Sequence, residues 1–109
     1  MAWLRATGEL DFASTPQLEQ SLQDAQLQAR LVVLDLRDLT FIDSAGVRAV
    51  VDASRRAHRL IVVRGPAAVD FVFDLTGSSG ELTILDLGPA EPPVMALLEL
   101  AQERTTQVG

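Results

Sequence analysis

The sequence predicts a layered α/β domain: four or so mostly parallel strands in one sheet, with helices packed on it. Two observations carry that expectation. The apolar runs LVVLDL from Leu31, LIVV from Leu60 and LTILDL from Leu82 have strand length, and they are continuous rather than alternating. Such runs suit strands covered on both faces. Between them lie segments whose apolar residues recur at helical spacing, and strands alternating with helices imply parallel pairing through crossovers.

The first strand spans Trp3 to Leu10, with Trp3, Arg5 and Thr7 opposite Leu4 and Ala6. Gly8 interrupts it, which suggests a bend or a close backbone approach. Ser14-Thr15-Pro16 starts a helix, since hydroxyl caps and a proline suit the first turn and Glu19 stands near the positive end of the dipole. Leu18, Leu22, Ala25 and Ala29 share one face, and the helix should end near Arg30. The second strand, Leu31 to Leu36, follows at once, and its crossover should be right-handed.

A polar turn, RDLTFIDSAG, leads from this strand into a central helix. From Val47 the apolar residues fall at Val47, Val50, Val51, Ser54 and Ala57, one stripe at helical spacing. The opposite stripe carries Arg48, Asp52, Arg55, Arg56 and Arg59. Asp52 stands at contact spacing from Arg48, Arg55 and Arg56, so this stripe reads as a solvated face. Leu60 to Arg64 is the third strand, closed by Gly65-Pro66. Ala67 to Thr76 is a short helix with Val69, Val72, Phe73 and Thr76 towards the sheet and Gly77 past its end. Ser78-Ser79-Gly80 is a turn, and Leu82 to Leu87 a fourth strand. Gly88-Pro89 and Pro92-Pro93 precede a last helix, roughly 94–103, with Met95 and Leu98 on one side. No repeat, low-complexity tract or linker divides residues 1–109, which read as a single domain.

Composition excludes several functions. A chain of 109 residues buries about 60–70% of its unfolded surface without staples. It has no cysteine and one histidine, so thiol catalysis, thiolate metal sites and disulfides are out, and neither a metal nor a cofactor is expected. The absence of a long apolar run or an h-region predicts a cytoplasmic protein with no direct membrane insertion. A net charge of −6, with nine basic residues, all arginine and in no tract, argues against nucleic acid as a partner.

Asp43 and Ser44 are favoured N-cap types at the start of the central helix. That is the carboxyl end of a strand, where open α/β sheets place their working surface. A Ser-His-Asp site built on Ser44 and His58 fails on geometry. Fourteen residues along one helix separate them by roughly 21 Å, and there is no G-x-S-x-G elbow. Asp35, Asp38 and Asp43 read as turn formers rather than a hydrolytic set. No catalytic residue is predicted.

The strand ending Asp35-Leu36, then Leu39, Phe41-Ile42 and Asp43-Ser44-Ala45-Gly46 opening an apolar helix, resembles the signature of the STAS family (sulfate transporter and anti-sigma factor antagonist domains). GELDFAS at Gly8–Ser14 and DLTG at Asp74–Gly77 resemble the family's other two landmarks, in order. The likeness covers about residues 4–87. It implies that Ser44 is phosphorylated by a partner kinase, and that Asp43, Ser44, Ala45, Gly46 and Arg48 face that partner. Each also has a plainer reading: Ser44 or Asp43 as a cap, Gly46 as a packing residue, Arg48 as a solvated charge. The implied function is an anti-sigma factor antagonist, a switch that binds an anti-sigma factor with serine-kinase activity. The alternative is a STAS subunit of an ABC-type lipid transport complex, docked on its ATPase. A nucleotide-binding STAS module lacks the Gly-rich loop it would need. Family members usually carry a strand before the first one seen here. With two residues ahead of Trp3, that border is expected to be open and a weak homodimer possible, unless the last helix covers it.

Overall fold

The computed structural model describes residues 1–56 and 59–92. His58, Ala57 and the last helix expected at 94–103 lie outside them. The described chain runs β1 (Ala2–Leu10), α1 (Thr15–Gln28), β2 (Val32–Ile42), α2 (Ser44–Arg56), β3 (Leu60–Val63), α3 (Ala67–Leu75), a 3-10 turn (Ser79–Glu81) and β4 (Thr83–Leu85). The strands form one sheet in the order β1-β2-β3-β4, and every pair is parallel. The layered parallel α/β architecture is thus the expected one.

Side-chain alternation sorts the sheet into two faces. Val32, Leu34 and Leu36 of β2 and Leu60 and Val62 of β3 join Leu22, Val47, Val50, Val69 and Phe73 of the three helices in one core. Ala2, Leu4 and Ala6 of β1 pack against it, as the alternation of the first strand required. Val33, Asp35, Ile61 and Val63 turn to the other face and are buried as well. Burial on both faces is why these runs are apolar without a break. α1 lies beside α2, and the Gln26 side-chain amide donates to the Ala53 carbonyl at 2.8 Å. Among the described residues no helix is long and apolar enough to cross a membrane.

The segment expected as a polar turn after Leu36 is instead strand. β2 continues to Ile42, eleven residues in all, while β3 pairs it only from Val32 to Asp35. The cause is β1, whose second half runs alongside. Between Arg5 and Thr7 of β1, β2 advances from Asp35 to Asp38, and between Gly8 and Glu9 it advances from Leu39 to Phe41. Each step inserts one extra residue in β2, a bulge. Buried positions then fall at Leu36, Leu39 and Ile42 rather than at alternate residues, so the strand has no period-two pattern to read. Gly8 supplies the positive φ (74°) that this irregular pairing needs.

Among the described residues β1 borders the sheet; the last helix, which was expected as its cover, lies outside them. Two bulges and the Arg5–Asp38 ion pair are features that blunt an edge against strand addition. At the far side β4 has three residues rather than six. Thr76 does not face the sheet; it is exposed, and its hydroxyl donates to the Val72 and Phe73 carbonyls at the end of α3.

The opposite face holds a buried ion pair. Asp35 is 1% exposed. It accepts from Arg37 Nη2 at 2.7 Å, Arg37 Nε at 3.0 Å and the Arg37 backbone N–H at 3.1 Å. The indole N–H of Trp3 adds a bond at 3.3 Å. Arg37 Nη1 also donates to the carbonyls of Gly88 and Glu91 at 2.6 and 2.7 Å, tying the chain after β4 to β2. Burial pushes the Asp35 carboxyl up, but Arg37 outweighs it and holds the group below its usual range.

Candidate functional site at the start of the central helix

Asp43 is the residue that caps α2. Its backbone carbonyl accepts the Val47 N–H at 3.0 Å, and its Oδ1 accepts the N–H of Gly46, three residues on, at 3.0 Å. That satisfies an amide which would otherwise have no partner in the helix. Ser44 follows as the first helical residue. It is exposed, and its hydroxyl makes no hydrogen bond among the described residues. Val47, Val50 and Val51 face inward and leave the first turn outward, as the stripe predicted. Of the two cap-type residues, Asp43 holds the helix, and among the described residues Ser44 takes no part in the cap.

The second carboxylate oxygen of Asp43 reaches a distant segment. Oδ2 accepts the backbone N–H of Phe12 at 3.0 Å, and the Asp43 N–H donates to the Leu10 carbonyl at 3.1 Å. The loop from β1 into α1 is therefore pinned to the start of α2. It is also closed on itself, with Ser14 N–H to Asp11 Oδ1 and Asp11 N–H to Ser14 Oγ, both 2.9 Å. Thr15 Oγ1 donates to the Asp11 carbonyl at 2.7 Å. The Ser14 amide and hydroxyl hold the Asp11 carboxyl below its usual range.

Gly46 is buried. A Cβ there would stand 2.7 Å from Ile42 Cγ1 and 3.0 Å from the Leu10 carbonyl oxygen. This is the plainer of its two readings: the glycine lets α2 close on β1 and β2. The residues that reach the surface are Asp43, Ser44, Ala45 and Arg48. Alanine favours a helix by up to about 1 kcal/mol over glycine, yet overpacking costs about 1–3 kcal/mol. Gly46→Ala is therefore expected to lower the thermal midpoint, and a midpoint equal to or above wild type would show that the contact has slack.

Beside Ser44 lies a groove of about 380 Å³ between α2 and the chain that follows α3. Its floor is Val47 and Val51, and Arg48, Arg55, Thr76 and Ser78 are on its walls. Arg55 pairs with Glu81 at 2.8 Å, while Arg48 reaches Asp52 only at 3.9 Å. Glu81, not Asp52, is thus the close partner of Arg55. All three stretches singled out in the sequence meet at one place: the loop after Gly8, the turn at Asp43–Gly46, and the end of α3 at Asp74–Gly77. Periodicity missed Phe12, Thr76 and Ser78 as neighbours of this site, because their link to it is made across the fold. Phe12 and Thr76 fall within the landmarks at Gly8–Ser14 and Asp74–Gly77, a signal that could have found them.

A model of the STAS domain matches residues 2–88. No curated protein sequence matches the chain. Among solved structures, the anti-sigma factor antagonist SpoIIAA in its unphosphorylated form is 25% identical, with a TM-score of 0.66, over 79% of this chain and 78% of that one. The Bacillus cell fate determinant SpoIIAA in the phosphorylated form is 24% identical, with a TM-score of 0.60, over 79% and 81%. An anti-sigma factor antagonist from Mycobacterium paratuberculosis is 22% identical, with a TM-score of 0.69, over 75% and 74%.

Proposed function

This chain belongs to the STAS domain family, and from that premise we propose that it is an anti-sigma factor antagonist switched by phosphorylation at Ser44. Its partner is an anti-sigma factor with serine-kinase activity, and the chain contributes an acceptor rather than a catalyst. The observation that carries this reading is the exposed hydroxyl of Ser44 at the first turn of α2, unbonded among the described residues, beside an aspartate whose oxygens both accept backbone N–H groups. A solved relative at 25% identity is an anti-sigma factor antagonist described in its unphosphorylated form, which supports the assignment.

In the transfer, Ser44 Oγ attacks the γ-phosphorus of ATP bound to the partner. The new O–P bond forms as the bond to the β-phosphate bridging oxygen breaks. ADP leaves, and the hydroxyl proton passes to a base of the kinase. Asp43 keeps the helix start in place, Ala45 lies beside the acceptor, and Gly46 acts from within by letting α2 seat. Arg48 is exposed and only loosely paired, so it is free to turn towards the phosphate one helical turn away.

Incubation with a purified anti-sigma factor kinase and ATP is expected to add one phosphate at Ser44, read by mass spectrometry, and none to Ser44→Ala. No transfer to wild type, together with stable binding to a transporter ATPase, would place the chain in a transport complex instead.

A further inference from the structure

We propose that Phe12 and Phe41 are the apolar anchors of the contact made around Ser44, and that they fit an apolar pocket with a basic rim on the anti-sigma factor. This rests on the reading of Ser44 given above and adds the chemistry of the partner's surface. Phe12 is 82% exposed and Phe41 is 48% exposed. Leu27 of α1 is 85% exposed, and a single outward leucine on a helix is ordinary. Phe12 differs in being held out. Its own N–H is bonded to the Asp43 carboxylate, and the Asp11–Ser14 bonds on its other side leave the loop little freedom to fold the ring back. Phe41 stands two residues before Asp43, opposite Glu9 at the end of the β1–β2 pair.

A ring fixed in the exposed position loses little further freedom on binding, and pre-organisation of this kind strengthens association. Aromatic side chains that enter a partner's pocket also carry most of the energy of many interfaces. Both phenylalanines lie on segments rich in carboxylates, with Glu9, Asp11 and Asp43 within two or three residues of them. A partner surface that receives these rings must therefore meet negative charge around them, which calls for basic side chains at its rim.

The test titrates wild type, Phe12→Ala, Phe41→Ala, Leu27→Ala, Glu9→Gln and Ser44→Asp against a purified serine-kinase-type anti-sigma factor from the same genome, at low and at high salt. Phe12→Ala and Phe41→Ala are expected to bind at least tenfold more weakly, with Phe12→Ala keeping the wild-type thermal transition. Leu27→Ala should bind like wild type, and Glu9→Gln should make the affinity less sensitive to salt. If Phe41→Ala fails to fold, Phe12→Ala decides. Wild-type affinity in Phe12→Ala, with Ser44→Asp still weak, overturns the anchor and leaves the switch standing. No binding by wild type overturns both.

Discussion

Ser44→Asp is expected to fold like wild type and to bind the anti-sigma factor about a hundredfold more weakly, while Ser44→Ala binds and resists release by ATP. The folded domain should tolerate charge at this position for a physical reason. Ser44 is the first residue of α2 and exposed, so a negative group there gains from the helix dipole and free N–H groups. A phosphate adds about −1.5 to −2 charges. The Asp43 carboxylate beside it cannot move aside, since it is bonded to Gly46 and Phe12. In the free protein, water screens the two negative groups from each other. In the proposed complex that water would be displaced, and the added negative group, phosphate or aspartate, would have to be desolvated against a fixed carboxylate. A penalty of about 3 kcal/mol corresponds to roughly a hundredfold in affinity, enough to release a nanomolar complex. Calorimetric titration of the three forms measures it. Equal affinities for wild type and Ser44→Asp would remove the switch.

Asp35→Ala should cost about 3 kcal/mol of stability, the usual loss when one partner of a buried ion pair is removed and the other is left behind. Arg37 would keep its bonds to Gly88 and Glu91 but lose its counter-charge, and the Trp3 indole would lose its acceptor. For a domain of this size the thermal midpoint should fall by about 10 °C or more. Asp35→Asn keeps the shape and one acceptor oxygen, so its loss should be smaller. The pair also sets a pH dependence. The Asp35 carboxyl lies below its ordinary value of 3.8 in the folded state. Its stabilisation is therefore complete above that value and disappears as pH falls below it. Asp35→Asn should flatten the fall in stability below about pH 4. Trp3, the one tryptophan, reports the unfolding by fluorescence. An Asp35→Ala protein as stable as wild type would show that the pair contributes nothing net.

The sequence by itself determined the order and type of the described strands and α-helices, the inward face of α2 at Val47, Val50 and Val51, and the position of Ser44. These are local properties: continuous apolar runs, helical spacing at Val47, Val50 and Val51, and a cap residue type before them. Strand identity after Leu36 was not legible, because the bulges opposite β1 break the two-residue period by which a strand is recognised. Neither composition nor spacing distinguished Asp43 from Ser44 as the cap, and only the bond from Gly46 assigned it. The tertiary structure alone brought Phe12 to Asp43, Thr76 and Ser78 to the groove, and Arg37 to Gly88 and Glu91. Each of these contacts joins residues more than thirty positions apart or lying on separate elements. Hydrogen bonds and packing across the sheet set them, and no local pattern in the chain records which distant group will arrive.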